Sequence, residues 1–236
     1  MRIRITQALL LVLLAGCARA PLPAEIEAVA MDASQRGDAA AEQRLRAWAD
    51  DGLAVAEREL ALLYQKRHRE DQARALFLRA ARQGDTESAW QLGELEREHT
   101  QDSGANARAA RWYRQAAQQG HAKAALGLAL LLKNGDGVPV DKAAAAHWLA
   151  VAAQAGDAHA MFLLSNAYAD GDGVAPDPRR ARDLLERAAD REYPAAIQEL
   201  ALVKQTGDDL TPKDAAEAEQ LLKEGAEHRR SNASRF

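Results

Sequence analysis

A period of about 36 residues runs through most of this chain, and a fixed period in that range requires one supersecondary unit stacked on copies of itself. One column reads Leu60, Leu92, Leu128, Leu164 and Leu200, and the next position is always small: Ala61, Gly93, Ala129, Ser165 and Ala201. Four residues before each leucine stand Ala56, Ser88, Ala124, Ala160 and Ala196. Positions spaced i, i+4, i+5 share one side of an α-helix, so these columns mark the buried stripe of a first helix. Their small members let a neighbouring helix come close.

A second ladder supplies the partner helix of each pair. It reads Ala73, Ala109, Ala145 and Ala181, then Leu76, Trp112, Trp148 and Leu184, then Ala80, Ala116, Ala152 and Ala188, and predicts one buried face. Breakers punctuate the pairs: Gly52, Gly84, Gly120 and Gly156 fall between units, and Asn134-Gly135-Asp136-Gly137-Val138 and Asp170-Gly171-Asp172-Gly173-Val174 fall within two of them. Asp141 and Asp177 sit where N-caps belong, and Thr211-Pro212 gives the same start signal in the last pair. The chain is 47% hydrophobic but only 5% aromatic, so small side chains dominate the interior, and alternating Val, Ile and Thr runs are missing. An all-α fold follows. Arg79 and Arg187 read as exposed positions of second helices.

These residues resemble the Sel-one-like repeat, a relative of the tetratricopeptide repeat. Its unit reads A-x-x-x-L-G-x-x-Y, then G-x-G-V-x-x-D, then A-x-x-W and A-A-x-x-G. The match covers about residues 53 to 227 and is strongest at 121 to 190, where both loops, Asp141, Asp177, Trp148 and Tyr168 agree. The 65 to 71 loop is shorter and lacks G-x-G-V, Glu96 and Lys204 replace Tyr, and the last unit drifts in register. The resemblance implies a right-handed α-solenoid of helix-turn-helix repeats of about 36 residues, with about five units over 52 to 228. Residues 24 to 51 lack the motif but carry helical patterning and Trp48, and read as an N-terminal capping helix pair; 229 to 236 read as a flexible tail.

Residues 1 to 16 have the layout of a secretory leader: Arg2 and Arg4, then Ala8-Leu9-Leu10-Leu11-Val12-Leu13-Leu14, then Ala15-Gly16. That apolar run is too short to span a bilayer as a helix. Leu14-Ala15-Gly16-Cys17 resembles the lipobox of bacterial lipoproteins, which implies a lipid on Cys17 as the mature N-terminus and residues 17 to 23 as a tether. From Ala18 to Pro23 the tether spans about 20 Å at about 3.3 to 3.6 Å per residue, so the folded body would lie near the membrane. Ala18, where Asp often marks inner-membrane retention, favours the outer membrane facing the periplasm. Cys17 is the sole cysteine, so no intramolecular disulfide forms. Without the leader the chain holds 29 basic and 35 acidic residues, net −6, which excludes a nucleic-acid footprint.

Reaction chemistry is not legible. His68, His99, His121, His147, His159 and His228 are scattered without a ligand spacing, and Val138 and Val174 stand where a calcium loop needs an acid or amide. We expect no cofactor, no metal and no catalytic residue. Asn232-Ala233-Ser234 reads as a chance glycosylation triplet, and Arg229, Arg230 and Arg235 as a solvated tail.

In related tetratricopeptide arrays first helices line the concave face, and that resemblance selects partner-facing residues. They are Glu87, Trp90, Glu94, Arg97 and Glu98 in the second unit, Lys123, Leu126, Leu130, Lys133 and Asn134 in the third, and His159, Phe162, Asn166, Ala169 and Asp170 in the fourth. Trp90, Leu126, Leu130 and Phe162 then form an apolar strip rimmed by charge, as a protein or peptide groove requires. The same rings equally suit packing between neighbouring repeats. The resulting expectation is a lipid-anchored envelope scaffold or adaptor that binds proteins or peptides, in secretion, polysaccharide export or cell-wall maintenance. The alternative is a regulator of a wall-active hydrolase, or such a hydrolase itself, which would need two carboxylates about 5 to 9 Å apart.

Overall fold

The computed structural model describes residues 19–98 and 102–233, with side chains through residue 227. Cys17, the leader and its arginines, Ala18, His99 and Arg235 lie outside the described residues, as do the side chains of His228, Arg229, Arg230 and Asn232.

Twelve α-helices and no strand are present among the described residues. Helix α1 (Pro23–Met31) runs into a π-helical turn at Asp32–Arg36, closed by Gly37 at φ 66°, and is followed by α2 (Ala39–Asp50). Five pairs then stack in order: α3 (Ala54–Lys66) with α4 (Glu70–Arg82), α5 (Thr86–Glu98) with α6 (Ala105–Ala117), α7 (Ala122–Asn134) with α8 (Lys142–Gln154), α9 (Ala158–Asp170) with α10 (Pro178–Asp190), and α11 (Pro194–Thr206) with α12 (Ala215–Ala233). Each helix packs against its pair mate and the next helix in sequence, while α1 packs on both α2 and α3. Helices α3 to α11 all have 13 residues, about 20 Å, so their ends align and the units stack as equal layers. No helix among the described residues is long and apolar enough to cross a membrane.

Short acceptor side chains start several of these helices. Asp38, Asp85, Asp141, Asp157 and Asp177 each accept a backbone N–H from the first helical turn, leaving fewer N-terminal donors unsatisfied. Asp141 and Asp177 are the caps that the sequence predicts. The last pair differs: α12 begins at Ala215, and Asp214 accepts from Glu217 N–H at 2.9 Å, so Thr211-Pro212 is not its start. Thr211 is instead buried in a turn whose N–H bonds to Asp208. Helix α12 runs to Ala233, past the end expected for the repeats.

The first-helix stripe is buried throughout. Leu60, Leu92, Leu128, Leu164 and Leu200 are 0 to 5% exposed, and the small columns beside them are closed off as well. Ser165 fits the small column by donating its hydroxyl to the Ala181 carbonyl at 2.7 Å. The second ladder needs a correction in its middle column. Leu76, Trp112 and Trp148 are only half-buried, and the next residue is the enclosed one: Phe77, Tyr113, Leu149 and Leu185 are 0 to 3% exposed. One step along a helix turns the side chain by about 100°, which carries the core stripe onto the later residue.

Loop glycines have a second duty. Gly173 has φ 79°, and a Cβ on it would lie 2.1 Å from the Lys142 carbonyl oxygen at the start of α8 in the preceding unit. Gly137 likewise sits against Asn106 and Ala107 at the start of α6. These loops therefore dock backbone against backbone on the previous unit, and Lys142 adds an ion pair to Asp172 at 2.7 Å.

Arg79 is not a free surface residue. It pairs at 2.6 Å with Glu57, which is 1% exposed, and donates to the Ala49 carbonyl.

Candidate partner-binding face

The positions two residues before each stripe leucine lie on the opposite side of the first helices, and three of them meet a partner at the start of the next helix pair. The partner is the N-cap residue of the following first helix. Arg58 pairs with Asp85 at 3.0 Å, Trp90 stacks on His121 with ring centroids 5.3 Å apart, and Phe162 meets Tyr193 at 5.3 Å. These three junctions thus each carry a complementary pair: cation with anion, or ring with ring.

The second junction is the richest. His121 caps α7 by accepting the Ala124 N–H on Nδ1 at 3.2 Å, which places its ring proton on Nε2, facing Glu87 Oε2 at 3.2 Å. Trp90 also meets the Lys123 ammonium, which stands 5.0 Å from the indole centroid. The Glu87 carboxyl is held below its ordinary range by the His121 hydrogen bond; burial opposes this and the Gln91 amide supports it. Glu94 accepts the phenolic proton of buried Tyr113, and burial followed by this contact pushes the Tyr113 hydroxyl well above its usual range.

The structure therefore brings Glu87, Trp90 and Lys123 into one cluster around His121. It brings His159 and Phe162 into another around Tyr193, with His159 stacked on the phenol at 5.1 Å. Leu126, Leu130 and Asn166 are half-buried, whereas Arg97, Glu98, Asn134, Ala169 and Asp170 are exposed. Trp90 and Phe162 are themselves half-buried, so both bridge repeats and keep part of their surface open to solvent.

His121 and Tyr193 are the residues that reading the sequence missed. Their signal was available: 121 and 193 are two periods apart and both close a unit, so repeat register alone puts them beside the residue two before each leucine. Among the described residues, no group of three or more His, Cys, Asp or Glu is arranged to hold a metal ion.

The family model of the Sel1 repeat matches residues 54–85, 86–121, 122–157, 158–193 and 194–228, so these junction residues close its units. No curated protein matches. A crystal structure of a Sel1 repeat protein from Oxalobacter formigenes is 28% identical, with a TM-score of 0.73 and 88% of each chain covered. A protective antigen present in uropathogenic Escherichia coli strains, displaying an SLR fold, is 22% identical with a TM-score of 0.74. That match covers 88% of this chain but only 46% of the other, so the chain spans about half of that protein, and the likeness bears on fold alone.

Proposed function

Because the chain belongs to the Sel1 repeat family, whose members mediate protein–protein interaction and are generally non-catalytic, we propose that it is a non-catalytic scaffold or adaptor of the bacterial envelope. It holds a protein or peptide partner on the face lined by its first helices. The observation that carries this reading is the cluster at Trp90, a large ring fixed by contacts with His121 and Lys123 yet still partly open. Rigid aromatic anchors bordered by charge are what interface hot spots are made of. Secretion, polysaccharide export and wall maintenance are processes in which such a scaffold would serve.

The lipobox-like Leu14-Ala15-Gly16-Cys17 supports anchoring through a lipid on Cys17, at the outer membrane facing the periplasm. Several acyl chains on one residue make such an anchor stable, since each buried methylene contributes about 0.8 kcal/mol. Cys17→Ser is expected to move the protein out of the membrane fraction, and a variant that still sediments with membranes refutes the anchor.

The face is tested by measuring crosslinking and pull-down of envelope proteins with Trp90→Ala and Phe162→Ala, alongside thermal unfolding of the same variants. Arg187→Ala serves as the exposed control; Arg79→Ala does not, given its pairing with buried Glu57. An anchor ring contributes about 2 kcal/mol or more of affinity. Lost stability with unaltered capture by the folded fraction assigns the rings to inter-repeat packing and refutes the face.

A further inference from the structure

A cleft of about 480 Å³ opens between α4 and α6, floored by α5. At about 100° per residue, its floor residues Leu92 and Glu96 lie about 200° around α5 from Trp90 and Glu94, so it faces away from the surface considered above. Its floor holds a departure from the repeat pattern. Position 96 holds Glu where the motif has Tyr. The same cleft recurs two periods later, where Tyr168 occupies that place with the Arg180 guanidinium 5.7 Å from its ring centroid, and the space shrinks to about 210 Å³. Glu96 is shorter and is drawn to Arg74 at 2.5 Å and Arg108 at 2.6 Å, which leaves the space above Leu92 open.

The lining is amphipathic. Leu78, Leu92 and Trp112 give it an apolar wall, while three guanidinium groups, those of Arg74, Arg108 and Arg111, face the one carboxylate of Glu96. Arg111 is exposed and forms no ion pair among the described residues. Two periods on, Asp183 stands in its place, Leu184 replaces the Trp of the motif, and Arg180 and Arg187 are paired with Asp177 and Asp183, so that cleft has neither the unpaired cation nor the flat wall. The volume falls within the range of about 300 to 1,000 Å³ usual for ligand pockets, room for a large side chain with its flanking backbone.

We propose that this cleft is a second docking site, for an acidic segment of a partner protein. A large apolar side chain of that segment seats on Leu78, Leu92 and Trp112, and the carboxylates beside it meet Arg111 and the free edge of Arg74. The site stands independently of the first-helix face. Charge steers the segment in, and burial of the apolar side chain holds it.

The test is fluorescence anisotropy of the full chain with a labelled Asp-Glu-Trp-Leu-Asp-Glu peptide. Its comparators are the same peptide with Lys at every acidic position and one with Gly-Gly in place of Trp-Leu. The acidic apolar peptide is expected to bind, and Arg111→Glu, at an exposed unpaired position, to weaken it at least tenfold. Glu96→Tyr, which refills the cleft as Tyr168 does, is expected to weaken it as much; circular dichroism checks that both variants keep their helices. Arg114→Glu and Trp90→Ala are expected to bind as the parent does. Equal binding of either comparator peptide, or unchanged affinity in Arg111→Glu, overturns the proposal. Weakening by Trp90→Ala that equals the effect of Arg111→Glu also overturns it, because the peptide would then sit on the other face.

Discussion

Replacing Gly93 with alanine is expected to destabilise the array, although alanine is the better helix former. The Tyr113 ring, fully buried, lies across Gly93 of α5, and a Cβ there would stand 2.3 Å from Cε1 and 2.5 Å from Cδ1. Carbon atoms pack at about 3.5 to 4.0 Å, so the overlap exceeds 1 Å. The ring has no retreat, because Gly127 of α7 closes the other side, where an added Cβ would come within 3.0 Å of Cε2. Alanine gains about 1 kcal/mol of helix propensity, and overpacking costs about 1 to 3 kcal/mol or more; an overlap this deep belongs at the upper end. The net loss is therefore about 1 to 2 kcal/mol. Gly127→Ala, with its milder contact, is expected to come out near zero. Urea unfolding followed by circular dichroism measures both, and hydrogen exchange in α5 to α7 localises the loss. Tyr113→Leu, which copies Leu149 and Leu185 of later units, removes the obstacle, so in that background Gly93→Ala should become stabilising. Stabilisation by Gly93→Ala in the parent, or the same penalty in both backgrounds, refutes the reasoning.

Arg79→Ala leaves the Glu57 carboxylate, 1% exposed, with only the Gln83 amide, and is expected to cost about 3 kcal/mol in a urea titration, whereas Arg187→Ala costs under about 0.5 kcal/mol. Ser88→Ala should stabilise by about 1 kcal/mol, because the Ser88 hydroxyl is buried without a hydrogen-bond partner among the described residues and alanine fills the same column in the other units; a lower melting temperature would contradict this. Burial pushes the Glu96 carboxyl up, but its hydrogen bonds from Arg108 and Arg74 outweigh that and hold it below the ordinary range. A carboxylate depressed in the folded state contributes stability above its unfolded pKa, about 4.3, and loses it as the pH falls through the folded value. Glu96→Gln should therefore flatten the acid limb of the stability profile below about pH 4, as read from urea midpoints; an unchanged limb counts against the arginine clamp.

The first-helix stripe was legible because its leucines and small residues recur at one spacing, and nothing but a shared contact imposes that. Choosing between adjacent large residues was harder. Trp112 and Tyr113 are neighbours on α6, and only the glycines facing them, Gly93 and Gly127, decide that Tyr113 enters the core. Nothing in the sequence marks Glu57 as buried, because its partner Arg79 lies 22 residues away on another helix. Thr211-Pro212 mimics a helix start, but the Asp208 turn takes Thr211 inward and leaves Asp214 to cap α12. At the candidate face the junction partners His121 and Tyr193 were not legible within one helix pair, because each stands at the start of the pair after the residue it meets.

The docking of the Gly137 and Gly173 loops on preceding helices has a mechanical consequence. Two bodies touching along one line can rock about it; a second, separated line of contact removes that freedom. The units built on α7/α8 and α9/α10 each hold their predecessor along two lines, through the packed helices and through a backbone strap. In the α3/α4 unit the corresponding connection has only residues 67–69 and reaches α2 through the long Arg67 side chain to Glu42, a contact that stretches easily. A bending load should therefore concentrate near α2 to α4, while α6 to α10 transmits force as a stiff strut.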